Sequence, residues 1–190
     1  DRGWPEDYDL VLRLWEAGHR LGKVPETLLR WRESPDRLSR VDEAYSHGAF
    51  RRCKVHFLRR TLLKGRPGVV IWGAGPTGKA LGRELLRQGG TILAWVDLDP
   101  RKIGQEIHGA PVLSPDRAET VGDRGRIRGV GRSGETGAPP MPEELADRSV
   151  GKDPGPVHLG AVAQVGARRE IRAAARDLEL EELEDFAVVA

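Results

Sequence analysis

The sequence predicts an α/β protein in which helices cover a parallel sheet, preceded by a mostly helical segment. Two observations predict this fold class. From residue 69 onward, short apolar runs typical of strands alternate with amphipathic stretches typical of helices. Between the first run and the first such stretch lies a turn with glycines at positions 73, 75 and 78. Alternation of this kind indicates βαβ units, in which each helix connects two parallel strands.

Length, charge and composition narrow the class of protein. With 190 residues, the chain is long enough for one ordinary domain or two small ones. The net charge is only +2, and acidic and basic residues interleave along most of the chain, which argues against nucleic acid as a partner. The single cysteine, Cys53, excludes an internal disulfide and suits a reducing compartment. No apolar run is long enough to span a bilayer, so we expect a cytoplasmic protein.

The first 65 residues are predicted to be mostly helical. Apolar residues recur at helical spacing from residue 4 to 17, and short extended segments follow at about 21–24 and 27–32. A longer helix is predicted over 42–64, with acidic residues at its start and basic residues in its later part. This charge order complements the helix dipole and is typical of a solvated face. The alternative is that the basic face of helix 42–64 binds the inner face of an anionic membrane or a nucleotide phosphate.

The pattern changes at a Gly/Arg/Pro linker, residues 65–68, so we predict units at 1–65 and 66–190. The expected elements of the second unit are strand 69–72, helix 77–88, strand 91–96, strand 157–163, helix 167–178 and strand 186–189. Residues 117–156 interrupt this order with eight glycines and five prolines. An irregular stretch of this length is uncommon inside a compact domain. We therefore expect 117–156 to be disordered, a variable insert, or the product of translation in a wrong reading frame.

The glycine turn, WGAGPTGKA at residues 72–80, fits two phosphate-binding patterns. A P-loop requires Ser or Thr after its lysine to hold magnesium, and Ala80 occupies that position. The dinucleotide pattern G-x-G-x-x-G is complete in Gly73, Gly75 and Gly78. Its first glycine allows a tight turn, the second lets a pyrophosphate approach the backbone, and the third lets helix and strand pack closely. The turn therefore predicts a Rossmann-like domain.

An acidic residue at the end of the second strand supports this interpretation. Asp97 stands 19 residues after Gly78, at the position where a carboxylate binds ribose hydroxyls. We predict that Gly73, Gly75, Gly78 and Asp97 bind NAD(P) or a nucleotide-sugar. The alternative is a domain that keeps the turn for folding and binds nothing.

Redox chemistry is the less favoured function for this unit. Both tyrosines, Tyr8 and Tyr45, precede the glycine turn, whereas the Tyr-x-x-x-Lys pair of short-chain dehydrogenases follows it. His108 and His158 follow the turn, but neither stands beside an obvious carboxylate partner in the sequence. A non-catalytic binding or sensing module is therefore preferred, and an NAD(P)-dependent sugar-modifying oxidoreductase stays open as an alternative.

Two segments carry a resemblance to a known group of domains: VVIWGAGPTGKALGRELL and AWVDLDPRKIGQEIHGAPVL, within residues 69–115. They resemble the Rossmann-like nucleotide-binding domains of bacterial sugar O-acyltransferases and nucleotide-sugar dehydratases. The later segment AVAQVGARREIRAAARDLEL is similar to a strand-to-helix turn of the same domains. Residues 117–156 have no counterpart in that pattern.

The opening segment resembles the C-terminal part of a catalytic domain. GWPEDYDLVLRLWEAGHRLGKVPETLLRWRESPDRLSR is similar to family 2 glycosyltransferases, which have a GT-A fold and transfer a sugar with inversion. The resemblance implies that residues 1–65 are a fragment of such a domain. It also implies that Asp7 is the general base for the acceptor hydroxyl, with Glu6 as its neighbour at the helix start. From the residues alone, both carboxylates would only favour helix initiation.

Parts of that family's pattern have no counterpart in this sequence. The segment Trp31-Arg32-Glu33-Ser34 lacks the histidine that often follows the family's arginine. The donor-binding half and its Asp-x-Asp metal motif precede the ED helix in the family, whereas Asp-x-Asp occurs here only at 7–9 and 97–99. We therefore expect the divalent metal and the nucleotide-sugar donor to bind in a missing upstream half. This chain alone is expected to transfer no sugar to the sugar or lipid acceptor.

Overall fold

A computed structural model describes residues 2–30, 32, 34–121 and 154–189. These residues form the helices α1 Glu6–Glu16, α2 Leu38–Val41, α3 His47–Arg60, α4 Pro76–Arg87 and α5 Val165–Asp177. They form the strands β1 Val69–Trp72, β2 Ile92–Val96, β3 Glu106–Ile107, β4 Ala110–Leu113, β5 Val157–Gly160 and β6 Phe186–Val188. Two 3-10 turns occupy Glu43–Tyr45 and Pro115–Val121.

The strands form one sheet in the order β3-β4-β2-β1-β5-β6. All pairs are parallel except β3 with β4. The predicted α/β fold with a Rossmann-like, mostly parallel sheet is confirmed. Since β2 and β4 lie on one side of β1 while β5 and β6 lie on the other, the direction in which strands are added reverses between β1 and β5. In open α/β sheets this switch point is where a crevice forms at the carboxyl ends of the strands.

Helices cover both faces of the sheet. Successive residues of a strand point to opposite faces, and all four residues of β1 are buried. On one face, Leu58 of α3 and Leu85 of α4 pack with Ile71 in a single core cluster. On the other face, Ile171 of α5 packs with Trp72. Both faces of β1 are therefore covered, as expected for a parallel sheet.

Helix α3 belongs to the sheet core, although it precedes the predicted boundary at 65/66. Val55, Leu58 and Leu62 share a cluster with strand residues that include Val69. The predicted helix over 42–64 is wrong in extent. The Ser46 backbone is extended (ψ 152°), and its hydroxyl accepts a hydrogen bond from Ala49 N–H at 3.2 Å, so α3 begins only after this N-cap. A separate 3-10 turn precedes the cap.

The hairpin of β3 and β4 was not predicted from the sequence. Its two-residue turn places His108 at φ 52° and Gly109 at φ 77°. Positive φ at both central positions is typical of a type I′ hairpin turn, which matches the twist of the flanking strands. β4 then pairs with β2, so the hairpin closes one edge of the sheet.

Several predicted elements differ from the structure. The strand predicted over 157–163 ends at Gly160, and the segment 21–30 is exposed and in no strand. Residues 31 and 33 lie outside the described residues, as does 122–153, which is most of the stretch expected to be irregular. Within the parts of the chain that the structure describes, no helix has both the length and the apolar character needed to cross a bilayer.

Candidate functional site

A cavity of about 520 Å³ lies at the carboxyl ends of β1, β2 and β5, at the switch point of the sheet. The glycine turn after β1 lines it with Gly73 and Gly75, and the segment after β2 lines it with Asp97 and Lys102. Apolar side chains of α5, including Ile171, form the opposite wall. The cavity therefore brings together the turn and the aspartate that the sequence singled out.

Two glycines of the turn are required by packing. Gly73 has φ 107°, and a Cβ placed on it would lie 2.6 Å from Val162 Cγ1. A Cβ on Gly78 would lie 1.8 Å from the carbonyl oxygen of Gly73. Both distances are shorter than a van der Waals contact. Glycine at position 73 therefore allows the segment after β5 to approach closely, and glycine at position 78 allows α4 to approach the end of β1.

Gly75 differs, because a Cβ on it would meet no atom within 4 Å. Its backbone is extended (φ −85°, ψ −174°), and it is the N-cap of α4. The first turn of any α-helix carries N–H groups without intrahelical partners, and the helix dipole adds positive potential there. Because Gly75 and Pro76 at the start of α4 line the cavity, this end of the helix faces a space that an anion can enter.

Asp97 connects the end of β2 to the glycine turn. Its Oδ2 accepts hydrogen bonds from Ala74 N–H at 2.8 Å and from the Lys102 ammonium at 3.0 Å. Its Oδ1 accepts a hydrogen bond from Asp99 N–H at 2.9 Å. Burial by itself raises the pKa of Asp97, but these hydrogen bonds outweigh burial and hold the pKa below its usual value. The carboxylate is therefore ionised and already engaged by three donors.

Lys102 and the α5 wall were not recognised from the sequence. A turn over 99–105 returns Lys102 to Asp97, since Lys102 N–H donates to the carbonyl of Asp99 at 2.9 Å. The available signal was a lysine five residues after the strand-ending aspartate. This spacing indicates a contact between Lys102 and Asp97 only when the chain between them is known to turn back.

The two histidines considered for redox chemistry do not line the cavity. His158 is only 5% exposed, and its Nδ1 accepts a hydrogen bond from Trp72 Nε1 at 3.0 Å. Burial lowers the pKa of His158 to about 4, while Asp185 opposes this shift. His108 is exposed at the tip of the β3–β4 hairpin. His158 is therefore a buried hydrogen-bond partner of Trp72, which lines the cavity, and does not line the cavity itself.

The predicted transferase carboxylates lie in the first turn of α1, and no residue of α1 lines the cavity. Glu6 Oε1 accepts a hydrogen bond from the Tyr45 hydroxyl at 2.6 Å. This bond lowers the pKa of Glu6 and raises the pKa of Tyr45 to about 12. Asp7 Oδ1 accepts a hydrogen bond from Tyr8 N–H at 2.7 Å, and its side chain is exposed. The structure thus places Asp7 and the glycine turn in two separate places.

Several basic residues of α3 are engaged within the chain. Arg52 Nη2 donates to the carbonyl of Gly3 at 2.9 Å, and Arg60 Nε donates to Glu16 at 2.6 Å. The Lys54 ammonium donates to the carbonyl of Val189. These contacts leave fewer cations of α3 available for an anionic surface, and a membrane contact through this helix stays a prediction.

Comparisons with known proteins identify no family. No family model and no curated protein matches the sequence.

Among the residues that the structure describes, no group of three His, Cys, Asp or Glu side chains could hold a metal ion.

Several solved structures resemble the fold. A UDP-D-quinovosamine 4-dehydrogenase from Vibrio fischeri is 20% identical over 66% of this chain and 79% of that chain, with a TM-score of 0.40. RSP, a Rex-family repressor, is 13% identical over 70% of this chain and 57% of its own, with a TM-score of 0.42. The complex of RSP with β-NADH gives 13% identity over 73% and 62% of the two chains and a TM-score of 0.41. At these values the likeness carries no inference about a ligand or an activity.

Proposed function

We propose that the sheet domain of this protein is a binding module for a nucleotide with a pyrophosphate, either NAD(P) or a nucleotide-sugar. The observation that carries this proposal is a single cavity at the switch point that joins the glycine turn to Asp97. Open α/β sheets bind their ligands at this place.

The parts of the cavity fit the parts of such a ligand. The start of α4 offers N–H donors and positive potential to a pyrophosphate, and the open space over Gly75 lets it approach the backbone. Asp97 lies where a ribose would follow. The apolar wall from Val162 to Ile171 suits the flat ring of a base. Apolar walls with a few convergent polar groups are typical of nucleotide and cofactor pockets.

Binding without catalysis is favoured over an oxidoreductase. The titratable side chains that line the cavity, in the described part of the chain, are Asp97, Lys102 and Glu170. Asp97 is held ionised by its hydrogen bonds, one of them from Lys102, so its carboxylate has no proton to donate to a reacting group. Glu170 is on the exposed side of α5. These side chains therefore support binding better than a proton transfer coupled to hydride transfer.

Ligand-dependent thermal unfolding tests the proposal. NAD, NADP and UDP-glucose are each added to the full chain, and the melting temperature is followed by tryptophan fluorescence. A ligand at one hundred times its dissociation constant stabilises the native state by about 2.7 kcal/mol. We expect at least one of the three to raise the melting temperature; no rise with any of them would refute nucleotide binding.

A charge introduced at Gly75 tests whether the ligand that raises the melting temperature binds at the glycine turn. Asp is a good N-cap residue and its Cβ would enter open space, so Gly75→Asp should leave the unliganded melting temperature nearly unchanged. Its carboxylate would repel a pyrophosphate and remove the ligand-induced rise. Gly22→Asp, where a Cβ also meets nothing within 4 Å, introduces the same charge far from the turn and should keep the rise.

A transferase role for Asp7 is our second proposal, and it rests on the resemblance of the opening segment. It is supported by the position of Asp7, whose exposed carboxylate is in the first turn of α1 while Glu6 is held by Tyr45. The test is sugar transfer by a protein that carries this segment together with a donor-binding half. Asp7→Asn should abolish turnover there, and Asp9→Asn should not.

A further inference from the structure

We propose that Lys102 determines the ribose specificity of the cavity, so that the site accepts a nucleotide with a 2′-phosphorylated ribose. The proposal rests on the proposed nucleotide-binding function and adds the class of nucleotide. The ammonium group of Lys102, which lines the cavity beside Asp97, would set this specificity.

Most of the hydrogen-bonding capacity of Asp97 is already used within the chain. An ionised carboxylate has about four acceptor sites, two on each oxygen. Oδ2 already accepts from Ala74 N–H and Lys102, and Oδ1 accepts from Asp99 N–H. About one acceptor site remains, whereas a ribose diol held in the usual way needs two. Asp97 as it stands is therefore a poor partner for an unmodified diol.

The charges around the proposed ribose subsite also suit a phosphate. Lys102 neutralises Asp97 within the cavity wall, and Arg101 neutralises Asp99 through contacts of 3.0 and 2.9 Å. A lone carboxylate would repel a phosphate placed beside it, and this pair does not. The Lys102 ammonium has three donor hydrogens and uses one on Asp97, so it can also donate to a phosphate oxygen.

Only one of the two neighbouring cations is placed for this role. Lys102 lines the cavity and its side chain is 34% exposed. Arg101 does not line the cavity, its side chain is 87% exposed, and both of its contacts go to Asp99. Lys102 and Arg101 therefore form a matched pair for an experiment, with equal charge and adjacent positions.

The experiment compares ADP-ribose with 2′-phospho-ADP-ribose, which differ only in the ribose phosphate, by isothermal titration of the full chain. We expect the wild type to bind the phosphorylated probe at least as tightly as the other. Lys102→Met should weaken binding of the phosphorylated probe about tenfold or more, as expected for loss of a charge-assisted hydrogen bond. Binding of ADP-ribose should not weaken and can tighten, because its diol does not need the ammonium and the acceptor site freed on Asp97 becomes available to it. Lys102→Arg should preserve the wild-type preference.

The control is Arg101→Met, which removes the same charge and should leave the ratio of the two dissociation constants within about threefold of wild type. A wild type that prefers ADP-ribose, or a Lys102→Met protein with an unchanged ratio, would overturn the assignment while nucleotide binding stands. Binding of UDP-glucose without either probe would also overturn it and leave the proposed function intact. Absence of binding by all three would remove both.

Discussion

Residues 2–45 and the sheet domain that follows differ in how far their apolar side chains are buried. In the described part of the first region only Pro5 is buried, and α1 buries no residue. In the second region every residue of β1 and β5 is buried. Among the described residues, eight of the twelve large apolar side chains that are exposed lie in the first region. The difference shows that an apolar pattern predicts a helix or strand but not whether another element covers it.

The contacts of α1 illustrate this point. Its helical spacing of apolar residues was recognised in the sequence, and the helix is present. It packs on α3 through ring contacts, with Tyr8 5.2 Å from Phe50 and Trp4 5.3 Å from His56 between ring centroids. Trp15 of α1 is partly buried and also packs against the core cluster that contains Leu58 of α3 and strand residues such as Val69. α1 is therefore held mainly by α3 and reaches the sheet core through Trp15.

The largest expected effect is in the sheet domain, at Gly78. Gly78→Ala places a Cβ 1.8 Å from the carbonyl oxygen of Gly73, a backbone atom that cannot move without disrupting the turn. We expect the free energy of unfolding to fall by about 3 kcal/mol or more, measured by urea denaturation. Gly166→Ala is the matched control, since this helical glycine has nothing within 4 Å of its Cβ position and alanine favours helix. Equal stability of the two variants would contradict the packing role of Gly78.

The next effect is the acid sensitivity of the core at His158. The pKa of this side chain is about 4 in the folded protein against 6.5 when unfolded, so between these values the unfolded state binds more protons. Stability must therefore rise with pH across this window, and it is lost as the pH falls from 6.5 to about 4. A shift of this size corresponds to about 3 kcal/mol at most, since one unit of pKa is about 1.4 kcal/mol.

Replacing His158 tests whether this side chain causes the loss of stability at acid pH. Asn can accept the hydrogen bond from Trp72 Nε1 but does not titrate, so His158→Asn should flatten the change in unfolding free energy between pH 6.5 and 4. His19→Asn removes an exposed histidine of the first region and should leave the pH dependence of wild type. A wild-type slope that survives His158→Asn would assign the acid sensitivity to other groups.

The same contrast explains how much the sequence could predict. The strand, turn and helix around Gly73 were located to within about one residue, because buried strands and a glycine turn are local signals. The start of α3 was misplaced because the cap at Ser46 outweighed a continuing apolar pattern. The bonds from Ala74 and Lys102 to Asp97 could not be predicted, because they depend on how two turns meet across the sheet. The segments predicted to be extended near residue 21 form no strand within the described part of the chain, because strand pairing is not a local property.

The smallest expected effect is in the first region, at Leu28 and Leu29. These side chains are 76% and 68% exposed, so their transfer to water on unfolding contributes little. Leu28→Ser and Leu29→Ser should change the free energy of unfolding by no more than about 0.5 kcal/mol. Leu58→Ala, in the sheet core at 5% exposure, should cost about 2–5 kcal/mol in the same urea titration. A loss above about 1 kcal/mol at Leu28 or Leu29 would mean that another surface covers this segment in solution, and the contrast between the two regions would then belong to the isolated chain alone.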